Sequence, residues 1–327
     1  VDPAAFFTAS RLVIVAGKGG VGKTTVSAAL ARAAARTGLS SLIVEVEGKS
    51  GLASMYGSPA FAYDEVTLAE ADEAAGRAAV RARTLTPDDA LIEWLEGAGM
   101  GRISKRLISS GALDMVATAI PGIRDILVLG KIKQMERAGL ADLLILDAPA
   151  AGHAITFLQS ASGLADAVRL GPINAQARDV LELLGDPQRC QVVLVTLPEE
   201  TPVNELVETA YQLEDRVGIS LGPVVVNGCY PPLPGLEVAP TAAASAAGTS
   251  LRKGEAAALS AAASFRRHRM ALQAEQLARL DAALPLPQLQ LPYLFDAELG
   301  PDQLDELATA LLAGVEALAP AATGSGG

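Results

Sequence analysis

Cysteine is nearly absent: Cys190 and Cys229 are the only two in 327 residues. That excludes a disulfide-stapled scaffold and favours a reducing compartment. Positive charge is short too, with 26 Lys and Arg against 37 Asp and Glu and a net charge of −11. Without a long basic run, such a chain is poorly suited to nucleic acid or anionic lipid. No stretch reaches the ~18–20 uninterrupted apolar residues of a membrane span. The opening segment, VDPAAFFTAS, has neither the basic start nor the apolar run of a signal peptide. These absences lead to the expectation of a cytoplasmic protein. Apolar residues are abundant, at 50%, enough for a large core in one large domain or two ordinary ones.

The apolar residues come in short runs. RLVIVAG (11–17), LIVEVE (42–47), LADLLILDAP (140–149), QVVLVTLP (191–198) and GPVVVNG (222–228) read as buried strands. Helical patterns follow several of them, over 24–38, 203–216 and 262–283. Strands alternating with helices predict an α/β fold, a doubly wound parallel sheet, as a single domain over 1–327. Two regions break the rhythm. Residues 48–139 are far more than one crossover needs, and helical patterns within them predict an inserted helical subdomain over 86–138. The stretch 231–259, rich in Pro, Ala, Gly and Ser, is expected to be a flexible low-complexity loop.

GKGGVGKTT (17–25) lies between the first strand and the first long helix and fits G-x-x-x-x-G-K-[ST]. Gly19, Gly20, Val21 and Gly22 let successive backbone N–H groups turn inward around phosphate oxygens. The helix start adds its positive end. In this P-loop setting Lys23 reaches the β- and γ-phosphates, the Thr24 hydroxyl ligates Mg²⁺, and Thr25 is placed for the α-phosphate. Lys18 is a second cation that the cradle does not require. Either it is a solvated surface charge, or it crosses to the nucleotide of a facing subunit, as an arginine finger does in trans.

KGGVGKTT resembles the deviant Walker A motif of a class of dimeric P-loop ATPases. The class includes chromosome- and division-site-positioning ATPases, the nitrogenase iron protein and the arsenical-pump/Get3 ATPases. Later segments choose among them. LILDAPAAGHAITFL (144–158) resembles the arsenical-pump/Get3 switch. Read from the residues, Asp147 ends an apolar strand facing the phosphate loop, where it would hold a Mg²⁺-bound water. The Gly152 backbone can swing toward the γ-phosphate. IPGIRDILVLGKI (120–132), TLPEETPVNELVET (196–209), VVVNGC (224–229) and LQLPYLFDAELG (289–300) follow in the family's order. The resemblance covers nearly the whole chain and is closest to an actinobacterial branch of anion-transporting ATPases.

This resemblance implies ATP or ADP with Mg²⁺, in a homodimer or a heterodimer with a paralogous subunit. It implies that Asn227 hydrogen-bonds adenine, that Glu205 contacts the nucleoside, and that the backbone of Leu294 and Phe295 flanks the base. Taken alone, Asn227 is equally a turn former before Gly228, and Phe295 equally a packed aromatic. His153 matches the switch histidine or simply sits in the first turn of the following helix. The sequence also departs from the pattern. Where the family has an aspartate followed by proline and histidine, this chain reads VEVEGKSGL. Glu47 holds the aspartate's place, one methylene longer, with Glu45 on the same strand face. Glu47 is expected to orient the attacking water, the alternative being a local salt bridge with Lys49. The paired cysteines that hold zinc in the eukaryotic branch are missing from 231–259, so no zinc is expected.

The function implied is a dimeric ATPase that opens and closes a helical client-binding subdomain. Leu91, Trp94, Met100, Leu107, Met115, Val116 and Met135 would line a groove for a hydrophobic protein client, or form the subdomain's own core. The alternative is a positioning-type ATPase. That would need a basic terminal helix, and PDQLDELATALLAGVEALAP carries no Lys or Arg. A shared iron–sulfur cluster would need cysteine close after Asp147. A small-molecule kinase would leave Lys18 unexplained.

Overall fold

A computed structural model describes residues 1–46, 50–61, 63–97, 122–149, 151–167 and 171–319. Its centre is an eight-stranded sheet. The strands are β1 (Leu12–Gly17), β2 (Ser41–Val46), β3 (Val66–Ala69), β4 (Val80–Leu85), β5 (Leu143–Asp147), β6 (Cys190–Thr196), β7 (Val224–Cys229) and β8 (Gln288–Pro292). Their order is β3-β4-β2-β5-β1-β6-β7-β8, and only β3 runs antiparallel to its neighbour. The expected parallel α/β sheet is therefore present. β1 and β2 are buried along their whole length, which is why they read as continuous apolar runs rather than alternating ones.

Helices cover both faces. On one, α1 (Pro3–Thr8), α2 (Lys23–Arg36) and the late α11 (Pro301–Ala317) pack with Val13, Val15, Ile43, Ile145 and Val193. Six buried alanines on α2 (Ala28, Ala29, Ala31, Ala33, Ala34 and Ala35) let it lie close to its neighbours. α11 buries Leu304, Leu307, Leu311 and Val315, so this helix is docked into the core. No helix among the described residues is long and apolar enough to cross a membrane.

Arg32 clamps α2 to α11 through paired hydrogen bonds to the two Asp305 carboxylate oxygens, at 2.9 and 2.7 Å. Those bonds hold the Asp305 carboxyl below its usual range. A depressed folded-state pKa gives stability that is complete above the unfolded value near 4 and fades as pH falls through the folded one. Asp305→Asn should therefore lower the melting temperature at pH 7. The gap from wild type should shrink below pH 4, as thermal scans across pH would show. Asp305 is partly exposed, so the pH 7 effect should be about 1–3 °C.

The opposite face carries α4 (Pro87–Gly97), α5 (Ile123–Ala138), α6 (Ala151–Ala167), α7 (Pro172–Gly185) and α8 (Glu200–Val217), whereas α3 (Ser50–Met55), after β2, packs Leu52 and Met55 into the α2 face. α4 and α5 flank residues 98–121, so Met100, Leu107, Met115 and Val116 lie outside the described residues. Leu91 and Met135 are buried, and Trp94 packs against the same core. The described edges of the predicted 86–138 insert therefore belong to the core that covers the sheet.

Three strands escaped the sequence reading. β3, VTLA, is four residues long and only partly buried, and β4 hides behind arginine: its Arg83 guanidinium is buried over the Tyr63 ring, 4.4 Å from its centroid. β8, QLQLP, is short and alternates in burial. The stretch 231–259 also differs from the single flexible loop expected of it. It contains α9 (Pro240–Ala246) and the start of α10 (Glu255–Ala283). Alanine is the strongest helix former, and the residues that suggested a loop stand at helix starts, Pro240 in the first turn and Gly254 as a cap.

Candidate functional site

β1 runs into the phosphate loop, and β5 pairs alongside with Val15 opposite Asp147. In a parallel sheet, loops that leave the carboxyl ends of neighbouring strands converge on one edge. Here that register brings Thr24, the second residue of α2, to Asp147. The Thr24 hydroxyl donates to Asp147 Oδ2 at 2.7 Å, and Asp147 is fully buried. Residues 123 apart in the chain thus form one oxygen-rich corner.

The loop itself is preformed. Gly20 and Gly22 take left-handed backbone angles (φ of 86° and 90°), which other residues adopt only with strain. A Cβ on Gly22 would also collide with the Asn227 amide. Lys23 is buried at 8% exposure and donates to the Lys18 carbonyl at 3.0 Å. Thr25 follows, half-buried, in the first turn of α2. A cleft of about 780 Å³ opens beside Gly19, Gly20, Gly22, Lys23 and Thr24, and is closed opposite by α5 and α6. Arg124 and Asp125, in the first turn of α5, line that cleft. Nothing in the sequence around 120–132 marks these two as cleft residues.

Lys18 does not point into the cleft. Its ammonium is ion-paired with Glu205 on α8. That also places Glu205, expected at the nucleoside, on the lysine in this structure. Asn227 donates from Nδ2 to the Val21 carbonyl at 3.0 Å, joining β7 to the loop. One of its two amide N–H groups is thereby engaged, and the oxygen remains as the acceptor side of the group.

Leu294 is half-buried and Phe295 is 66% exposed. Phe295 belongs to a ring cluster with Tyr230 and Tyr293, at centroid distances of 5.8 and 4.9 Å. Arg266 of α10 lies over Tyr230 and Phe295, 4.5 and 5.0 Å from their centroids. Tyr230, Tyr293 and Arg266 were absent from the sequence reading, since nothing local marks three residues that meet only in the folded chain.

Glu47 and Lys49 fall outside the described residues. Gly152 and His153 lie in the first turn of α6. Glu45 is buried in β2, in register with Asp147. Cys190 and Cys229 sit at opposite ends of parallel strands and cannot share a ligand. Burial pushes the Cys190 thiol well up and the Cys229 thiol up to about 12, which keeps both protonated at neutral pH.

Residues 10–173 match the family model described as anion-transporting ATPase. The chain belongs to this ATPase family. The ATPase BagA of Mycobacterium tuberculosis is 36% identical over 231 residues, 68% of this chain and 66% of its own. A putative arsenical pump-driving ATPase of Halobacterium salinarum is 27% identical over 244 residues, 68% of this chain and 36% of its own. ATPase get3 of Schizosaccharomyces pombe is 27% identical over 179 residues, 54% of this chain and 52% of its own. The chain therefore spans just under two thirds of the mycobacterial relative and less of the others. The span matched to the anion-transporting ATPase model holds the phosphate loop, Asp147 and Arg124. Asn227 and the ring cluster lie beyond it and rest on this chain's own geometry.

Proposed function

We propose that the chain is a Mg²⁺-dependent ATP hydrolase that works as a pair of subunits. The observation that carries this reading is the Thr24–Asp147 hydrogen bond at the mouth of a preformed phosphate loop. Its donor set, a hydroxyl and a buried carboxylate, suits a hard cation bound through oxygen. Thr24 would ligate Mg²⁺ directly and Asp147 through water. When bound, the ion neutralises charge on the β- and γ-phosphates.

The chain's own residues supply the rest. The loop N–H groups and Lys23 hold the phosphates, and Arg124 brings a further positive group to the same cleft. With Nδ2 held by Val21, Asn227 offers Oδ1 to the 6-amino group of adenine; guanine carries an acceptor there and is disfavoured. The Leu294 and Phe295 backbone would border the base. Glu47 orients water, Gly152 and His153 respond to the γ-phosphate, and Lys18 acts on the partner subunit's nucleotide. The partner is a second copy or a paralogue. Opening and closing of the pair moves the helices within 86–138, which take a hydrophobic client.

The test is ATPase rate against protein concentration, with light scattering giving mass in ADP and in ATP. Specific activity should rise with concentration, in step with an ATP-favoured dimer. A concentration-independent rate from a species that stays monomeric in ATP would overturn pairing with a second copy; the same flat rate after adding a paralogous subunit would overturn the paired reading.

A further inference from the structure

Lys18 and Glu205 lie 187 residues apart in sequence and meet at the edge of the phosphate loop. Both are partly exposed, at 44% and 38% of their side chains. Beside them lies a pocket of about 560 Å³ between the loop, α6 (Thr156, Gln159) and α8 (Glu208, Thr209). The two lysines of one loop are thus held differently. Lys23 turns inward onto a backbone carbonyl, whereas Lys18 turns outward onto a counter-ion from another helix. The second Glu205 oxygen, Oε2, is buried without a hydrogen-bond partner among the described residues. Among the described residues the carboxylate has Lys18 alone as its hydrogen-bond partner.

This pairing bears on how a lysine could act between subunits. To reach the partner's nucleotide, Lys18 must leave Glu205. A phosphate chain carries more negative charge than one carboxylate, so it can replace Glu205 as counter-ion once it comes within reach. The exchange trades one ion pair for another and needs no bare ammonium in between. Glu205 also sits on α8, which packs against α6, the helix that follows Asp147. A shift of α6 at the nucleotide therefore reaches the residue that holds Lys18.

We propose that Glu205 is a positioning residue that holds Lys18 within the unpaired chain and yields it to the phosphates of a partner subunit's nucleotide. The proposal rests on the reading of Lys18 given above. The Lys18–Glu205 pair is then a brake on pairing, with the weight of one partly exposed ion pair, about two- to fivefold.

The first experiment needs no partner. Lys18 in the nucleotide-free chain is acetylated in a brief pulse of N-hydroxysuccinimidyl acetate and quantified by peptide mass spectrometry. Glu205→Gln should raise its labelling rate about two- to fivefold, with Glu205→Asp between the two. Equal labelling of Lys18 in Glu205→Gln and wild type would overturn the clamp. In the second arm, the concentration giving half-maximal ATPase activity should fall by the same factor in Glu205→Gln. Rising salt should narrow the difference between wild type and Glu205→Gln, because that difference is the Lys18–Glu205 pair alone. A Glu205→Gln chain that instead binds a fluorescent ADP analogue more weakly would assign Glu205 to the nucleoside and overturn the clamp. Wild-type turnover in Lys18→Ala would remove the trans-acting reading, and the exchange with it, even where the labelling result stands.

Discussion

Lys18→Ala should lower ATP turnover about a thousandfold while the affinity for a fluorescent ADP analogue stays within about twofold. A cation supplied to the transferring phosphoryl group from another subunit stabilises charge that develops only in the transition state. Removing it costs on the order of 4 kcal/mol of barrier and little ground-state binding. The geometry explains why binding should survive. Lys18 faces Glu205 and the outer pocket, whereas the phosphate cleft is lined by Gly19, Gly20, Gly22, Lys23 and Thr24. Lys23→Ala should behave differently, losing nucleotide affinity and turnover together. Single-turnover rates and equilibrium titrations on the two variants separate these outcomes. Wild-type turnover in Lys18→Ala would leave that residue a surface charge and remove the chemical reason for two subunits.

The second large effect belongs to Asp147. In Asp147→Asn the side chain keeps its size but loses its charge, at a position with no exposure to solvent. The Thr24 hydroxyl can still donate to the amide oxygen, so the corner should hold together. A neutral group is a poorer partner for a metal-bound water. The Mg²⁺ concentration for half-maximal activity should rise about 10–100-fold, as when outer-shell carboxylates are lost elsewhere. Turnover at saturating Mg²⁺ should fall by a similar factor. Binding of Mn²⁺ with ADP, followed by electron paramagnetic resonance of the free ion, reads the same loss without catalysis. Unchanged Mn²⁺ affinity would remove Asp147 from the metal site and leave it a structural partner of Thr24.

The phosphate loop was legible because its chemistry is local. Nine consecutive residues hold the glycines, the lysines and the hydroxyls, and the strand before and helix after them have strong patterns of their own. Asp147 was legible for a related reason: it ends an apolar strand, and parallel strands bring their carboxyl ends to one edge. The pairing of Lys18 with Glu205 was not, because a contact across 187 residues leaves no mark on either segment. The same holds for Arg266 on Tyr230 and Phe295. β4 was missed through a different physical effect. Its arginines look like surface residues in a strand pattern, yet Arg83 is buried by stacking on Tyr63 and lies near Glu65. The 231–259 stretch misled through composition, since alanine among prolines and glycines reads as low complexity while still favouring helix. Glu205 was singled out through the resemblance, but its contact with Lys18 had no signal in either segment.

The chain contains one tryptophan, and the fold sets it in α4. Trp94 packs against the main core, on a helix that begins at the nucleotide cleft with Pro87 and ends just before residue 98. Intrinsic emission excited at the indole band therefore has a single source. It lies at the joint between the cleft and the segment proposed to engage a client. The unmodified chain carries its own optical gauge of α4, read in a cuvette as ATP, ADP or a second subunit is added.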